Sequence, residues 1–201
     1  LAGVSLARRL ESLSIMYCTT LQSQALVELG KAVSLRTLTL CEYPGLKDLS
    51  VISHLRDLEL LNIGYCNELR DMSGLSELTK LRALAFHHMS QDVNFGICRN
   101  LNNVQELEFV SCQLTNVDWV TGMTNLRTLK LIFCDELERL KGLESLRNLE
   151  SLHLDSLPSL KELDPIARIP SLRRLYLRGV QFSKEEYDRI RQRGVDIVVH
   201  E

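Results

Sequence analysis

Six cysteines are the side chains of this 201-residue sequence with the widest choice of chemistry, because a thiol can bind a metal, form a disulfide or act as a nucleophile. No two of them have the C-x-x-C spacing that is common in zinc and redox sites. The six residues are Cys18, Cys41, Cys66, Cys98, Cys112 and Cys134. Their spacing therefore predicts neither a metal centre nor a redox pair.

The adjacent pair His87-His88 is the other group with metal-binding or acid–base potential. Two neighbouring residues make a poor chelate, and we expect no carboxylate or thiol beside them and no histidine beside Cys41. The sequence also lacks a phosphate-binding loop, an H-E-x-x-H motif and a G-x-S-x-G nucleophile elbow. We therefore predict no enzymatic activity, no catalytic or metal-ligating residue, no cofactor and no small-molecule substrate.

The charge balance and the hydropathy restrict the class of partner. The chain has 24 Lys and Arg residues against 26 Asp and Glu residues, which gives a formal net charge of −2. This balance gives no electrostatic reason to favour nucleic acid or an anionic membrane as a partner. The longest apolar runs have four residues, far fewer than the ~18 that a membrane-spanning helix needs. We therefore expect neither a nucleic-acid nor a membrane partner.

A frame of the form L-x-x-L-x-L-x-x-C recurs along most of the chain. Its fourth and sixth positions are apolar and alternate with more polar neighbours, which is the period-two pattern of a strand with one buried face. One copy cannot bury that face alone, so the copies must stack as parallel strands around one continuous core. The eight copies, at steps of 22 to 25 residues, begin at Leu10, Leu35, Leu58, Leu81, Val104, Leu126, Leu149 and Leu172.

Between the strands, the apolar period changes from two residues to three. A period of three fits 3₁₀ turns and extended coil better than an α-helix with 3.6 residues per turn. We therefore expect the side of the stack opposite the strands to be mostly 3₁₀ helix and coil. One such series is Cys134, Leu137, Leu140, Leu143, Leu146 and Leu149.

The frame resembles that of leucine-rich-repeat proteins, and the resemblance covers roughly residues 1–182. It implies an α/β fold, a leucine-rich-repeat solenoid: a right-handed curved stack of about eight short parallel strands on the concave face, with mostly 3₁₀ and coil convex segments. The family places Asn or Cys at the ninth position of the frame. This chain has Cys18, Cys66, Cys112 and Cys134 there, and departs from the pattern at Tyr43, Met89, Leu157 and Val180.

Four cysteines at one repeated position predict a ladder of buried, reduced thiols. Cys98 falls on a core position of the convex side, and Cys41 falls on the concave face. Adjacent strands lie about 5 Å apart, so geometry alone leaves a disulfide between Cys112 and Cys134 open. Reduced thiols, together with the lack of an Asn-x-Ser/Thr glycosylation site, indicate an intracellular location, cytoplasmic or nuclear.

Residues 183–201 break the frame and are predicted to form a C-terminal cap that follows the repeats of residues 1–182. Ser183 and Glu186 have the spacing of a helix capping box, and Gly194 suits the end of that helix. Residues 195–199 then have the pattern of a final strand. No comparable cap precedes Leu10, so we expect the chain to be the C-terminal part of a larger protein.

The family resemblance implies that function resides on the concave face, at the third, fifth, seventh and eighth positions of each copy. In the third to sixth copies these positions carry aromatic and aliphatic side chains where polar ones are usual, and such patches often mark partner sites. The candidate partner-binding residues are Leu60, Asn62, Tyr65, His87, His88, Val110, Ile132 and Phe133. The alternative is that Ile132, Phe133 and Tyr65 lean over the strand edge and pack on each other. Trp119 is expected to face outward from the convex side.

The sequence therefore predicts a protein–protein interaction module that binds a partner protein on its concave face. A structural scaffold that self-associates as a homo-oligomer is the alternative from another class. The repeats also resemble the short, cysteine-containing class found in substrate-recognition subunits of ubiquitin ligases and in plant immune receptors. The repeats alone are equally typical of both classes of protein.

Overall fold

Nine parallel strands form one open sheet in the computed structural model. The structure describes residues 3–4, 7–18, 23–43, 45–161, 163–180 and 183–200, with the backbone alone at 23–25. The strands lie in chain order, so each one pairs with the next along the sequence. They are β1 (Ser12–Met16), β2 (Thr37–Cys41), β3 (Leu60–Gly64), β4 (Ala83–His87), β5 (Glu106–Val110), β6 (Thr128–Ile132), β7 (Ser151–Asp155), β8 (Arg174–Arg178) and β9 (Asp196–His200).

The strands stack in register, so that equal positions of the frame lie side by side. Leu131 of β6, for example, lies opposite Phe109 of β5 and Leu154 of β7, and all three occupy the sixth position. From β2 to β8, every fourth- and sixth-position side chain is buried in one core. The predicted stack of strands with one buried face is confirmed.

The connections on the opposite side are mostly 3₁₀ helices, as the period of three predicts. Two connections depart from this pattern: α1 (Ser23–Leu29) and α2 (Asp164–Ala167) are α-helical. The first of these lies in the only copy with a 25-residue step, whose extra length gives space for the wider α-helical turn. The 3₁₀ helices are Ser50–Ile52, Ser73–Glu77, Phe95–Asn100, Asp118–Gly122 and Leu143–Ser145.

The C-terminal end of the core is covered by α3 (Lys184–Arg191) and β9, which extends the sheet beside β8. The Ser183 hydroxyl accepts a hydrogen bond from the backbone N–H of Glu186, and the Glu186 carboxylate accepts one from the backbone N–H of Ser183. The predicted capping box is therefore confirmed. Ile190 and Val195 are buried in the same core as the repeats. None of the helices in the described ranges combines the length and the apolar character needed to span a bilayer.

Buried ninth-position thiols connect neighbouring copies. The Cys112 Sγ lies 3.3 Å from the carbonyl oxygen of Phe86 in the preceding copy and 3.5 Å from that of Val110 in its own copy. Cys66 and Cys134 repeat this arrangement at the same positions of their frames. Each thiol therefore supplies a weak donor to carbonyl groups at the end of a strand. All six cysteines of the chain are free thiols.

We predict that only the two half-buried thiols, Cys18 and Cys41, react with Ellman's reagent in the folded protein at pH 8. Burial raises the pKa of Cys66 and Cys134 to about 11 and that of Cys98 and Cys112 to about 12. Little thiolate is then present at these four positions, and the reagent has no access to them. Unfolding in non-reducing buffer should raise the number of reactive thiols to six. A count of four or fewer in unfolded protein would contradict the reduced ladder.

Candidate functional site

The eighth position of each copy is where the chain leaves the sheet, and there the backbone adopts a left-handed conformation. The N–H of Tyr65 still donates to the carbonyl of His87 on the next strand, at 2.9 Å, so the ladder extends one residue past β3. A left-handed residue with a side chain costs about 1–2 kcal/mol, and the hydrogen bond offsets part of this cost. These side chains therefore lie along the carboxyl edge of the sheet. The left-handed residues, with φ between 50° and 60°, are Tyr17, Glu42, Tyr65, His88, Ser111, Phe133, Ser156 and Gly179.

Tyr65 and His88 form a stacked pair at this edge. Their ring centroids are 4.1 Å apart and the ring planes differ by 16°. Both side chains remain exposed to solvent, Tyr65 to 41%. Tyr65 therefore packs on a candidate residue that the alternative did not name, and the stacking leaves part of its ring exposed.

Phe133 lies further along the same edge, beyond Ser111, and is 43% exposed. The guanidinium of Arg178 lies 5.8 Å from its ring centroid, a cation–π distance. Arg178 is held there by Asp155, since its Nε and Nη2 atoms each lie 2.9 Å from one carboxylate oxygen. Phe133 is thus covered on one side by a fixed cation and open on the other.

A row of seventh-position side chains joins the stacked pair to Phe133. His87, Val110 and Ile132 lie side by side in register on β4, β5 and β6, and all three are half-buried. The structure thus places six of the candidate residues on one continuous strip. Leu60 and Asn62 lie apart from it, at the third and fifth positions of β3.

Leu60 and Asn62 line a depression in the concave face with a volume of about 240 Å³. Its floor includes Ala83 and Ala85, the third and fifth positions of β4, whose side chains end at the Cβ atom. Beyond the alanines its lining includes Glu106 of β5 and then Thr128 and Lys130 of β6. Neither alanine nor this glutamate was among the candidate residues predicted from the sequence. Two small residues at exposed positions, between larger ones on the neighbouring copies, were the signal for a depression.

A small charge network lies beside the depression. The Glu108 Oε2 atom is 2.8 Å from the Nζ of Lys130, and its Oε1 atom is 4.0 Å from the Nε2 of His87. Burial lowers the pKa of His87, and the opposing effect of Glu108 is smaller, so the imidazole is neutral at pH 7. The expectation that no carboxylate lies beside the histidine pair was wrong, because Glu108 reaches diagonally from the next strand. Across the described ranges, no three His, Cys, Asp or Glu side chains are grouped as a metal site requires.

Trp119 does not face outward as expected. It is half-buried, and its ring centroid lies 5.7 Å from that of Phe109 and 6.4 Å from that of Phe95. The indole therefore packs on an aromatic cluster of the core, and the convex side around it offers no isolated exposed tryptophan.

No family model matches the sequence, and no curated protein matches it either. Solved structures do resemble the fold. The leucine-rich repeat domain of the type III effector XopL superposes with a TM-score of 0.75 at 22% identity, over 98% of this chain and 71% of that one. TLR13, in its complex with ssRNA13, gives 0.72 at 17% identity, over 98% and 29%. The internalin InlF of Listeria monocytogenes gives 0.66 at 20% identity, over 86% and 49%, so the chain spans about half the length of InlF. This chain therefore has the leucine-rich-repeat solenoid fold.

Proposed function

We propose that the chain binds a partner protein through the concave face of its sheet. The binding surface would comprise Leu60, Asn62, Tyr65, His87, His88, Val110, Ile132 and Phe133, called here the concave patch. The supporting observation is the exposure of large apolar side chains there: Leu60 is 39% exposed, Tyr65 41% and Phe133 43%. The fourth and sixth positions already fill the core, so packing does not require these side chains. Exposed aromatic and aliphatic groups rimmed by charge are typical of partner sites.

The chemistry of the concave patch favours a protein over a nucleic acid. Glu106 and Glu108 lie beside it, with Lys130 as the nearest partner for one of them, so the local charge repels phosphate groups. Its apolar side chains instead suit the apolar side chains of another protein. The free thiols of the chain support an intracellular location for this interaction.

The combined change Tyr65→Ala and Phe133→Ala is expected to weaken partner binding strongly while the fold survives. Central aromatic anchors contribute about 2 kcal/mol or more each, which is roughly 30-fold in affinity per residue. Neither truncation opens a buried cavity, since both rings are exposed. Affinity purification with the wild-type chain would identify partners, and the dissociation constant of each would then be compared with that of the double variant.

Tyr17→Ala is the matched control for this experiment. Tyr17 is also a left-handed, eighth-position aromatic residue, and it is 68% exposed but lies outside the concave patch. Its replacement should leave partner binding unchanged. If the double variant melts like the wild type and still captures every partner with unchanged affinity, the concave patch is not the binding surface.

Self-association is the second candidate function, with the concave patch as the contact, because its exposed apolar side chains can pack against the same surface of a second copy. Sedimentation velocity separates the two functions. A scaffold would show a concentration-dependent rise in mass, whereas a binding module for another protein would sediment as a monomer.

A further inference from the structure

We propose that the depression above Ala83 and Ala85 receives an arginine side chain of the partner protein. This inference rests on the proposed function and names the chemistry that the concave patch recognises. The depression has a volume of about 240 Å³, and its lining includes Leu60 on one side of the alanines and Glu106 on the other. An arginine side chain can contact both groups, because its aliphatic stem packs on apolar surface while its guanidinium binds a carboxylate.

Glu106 is the carboxylate that can accept this cation. It is exposed, and among the described residues no Lys, Arg or His side chain forms an ion pair with it. Its neighbours in register are Ala83 and Thr128, which carry no charge. The strand position therefore leaves both carboxylate oxygens open to a bidentate guanidinium.

The rest of the depression does not neutralise this charge. Glu108 is already matched by Lys130 at 2.8 Å, and His87 is neutral at pH 7 because burial lowers its pKa. Two carboxylates and one ammonium group thus leave one negative charge uncompensated. The opening faces the concave side, where the proposed partner binds, so the charge is complementary to a basic group and repels an acidic one.

The shape of the site favours arginine over a bare cation. The alanine floor lets a side chain approach the sheet closely, whereas any larger residue at the third or fifth position of β4 would occupy that space. Leu60 supplies an apolar wall with 39% of its surface exposed. A metal ion gains nothing from an apolar wall. An arginine side chain can pack its three-carbon stem on Leu60 while its planar guanidinium binds the carboxylate of Glu106.

The test measures binding of N-acetyl-arginine amide by NMR, through the methyl signals of Ala83 and Ala85 in the full chain. N-acetyl-citrulline amide, which has the same shape without the charge, is the matched ligand control. We expect saturable shifts with the arginine probe and at least tenfold weaker binding of the citrulline probe. Equal shifts from the two probes, or no saturable shift from the arginine probe, would overturn the proposal.

Two variants locate the effect. Glu106→Gln should weaken binding of the arginine probe at least tenfold. Ala83→Leu should abolish binding, because the larger side chain fills the floor of the depression. Both variants should melt like the wild type, because the two residues face solvent. Arg174→Gln, a charge change at the third position of β8, should leave probe binding unchanged. Full binding by the Glu106→Gln variant would refute the assignment. Probe binding requires no partner, so its failure is distinct from a failure of the concave patch to capture a protein.

Discussion

Leu131→Ala is expected to lower the free energy of unfolding by about 2–5 kcal/mol, the usual range for truncating a buried leucine. Leu131 is fully buried at the sixth position of β6. Its neighbours in register are Phe109 in the preceding copy and Leu154 in the following copy, so a copy packs on either side of it. The truncation therefore opens a cavity whose walls are held by two flanking strands and cannot collapse easily. Urea unfolding followed by circular dichroism would measure the loss.

Lys130→Ala is the control for this change, one residue away on the same strand. Lys130 faces the concave side, and its side chain is 37% exposed where it pairs with Glu108. Removing a pair that is open to solvent costs about 0–1 kcal/mol. A large loss for Leu131→Ala beside a small one for Lys130→Ala confirms the alternation of the strand. Comparable losses at the two positions would mean that the assignment of buried and exposed faces is wrong.

The sequence predicts the sheet well because a single rule applies in every copy. Leu129 and Leu131 alternate with Thr128 and Lys130, and the same alternation at equal spacing recurs in each repeat. Stacking such strands side by side buries all the apolar faces together. The position of each core residue then follows from the frame. At α1 an α-helix replaces the predicted 3₁₀ helix, because that copy is longer. The extra residues change the connection and leave the strands unchanged.

The candidate surface is less predictable, because it depends on geometry between copies. The left-handed turn at Tyr65 and Phe133 is set by hydrogen bonding at the strand end, and no residue type marks it: tyrosine, glutamate, serine and phenylalanine all occur there. The contact of Glu108 with His87 is diagonal and requires the register of two strands. The stacking of Tyr65 on His88 likewise depends on rotamers that a pattern does not specify.

The convex side places its own constraint on the sequence, and Gly74 shows it most clearly. A Cβ atom built on Gly74 would lie 2.0 Å from the carbonyl oxygen of Leu49 and 2.6 Å from its carbonyl carbon. The backbone of Leu49 cannot move easily, because two hydrogen bonds hold it. Its carbonyl accepts from the N–H of Ile52 at 3.1 Å, and its N–H donates to the carbonyl of Asp71 at 2.9 Å. The 3₁₀ segments of two neighbouring copies therefore approach so closely here that only glycine fits.

We expect Gly74→Ala to lower the free energy of unfolding by about 3 kcal/mol, at the upper end of the usual cost of overpacking. The added methyl group meets backbone atoms, so relief requires the second and third copies to move apart. Thermal unfolding would show a fall in Tm of roughly 6–12 °C for a domain of this size. Ser76→Ala, an exposed change in the same 3₁₀ segment that removes one local hydrogen bond to the carbonyl of Ser73, should lower Tm by far less.

The location of the damage provides a second readout for Gly74→Ala. Each copy of a solenoid contacts only its neighbours, so stability is roughly a sum of repeat and interface contributions. Weakening the interface between the second and third copies should therefore speed amide hydrogen exchange in β1 and β2 more than in β7 and β8. The concave patch lies on β3 to β6 and at their carboxyl ends, so partner binding should persist at temperatures below the transition. Uniform exchange across all nine strands would show that the chain unfolds as one unit, and an unchanged Tm would contradict the close packing of these two copies.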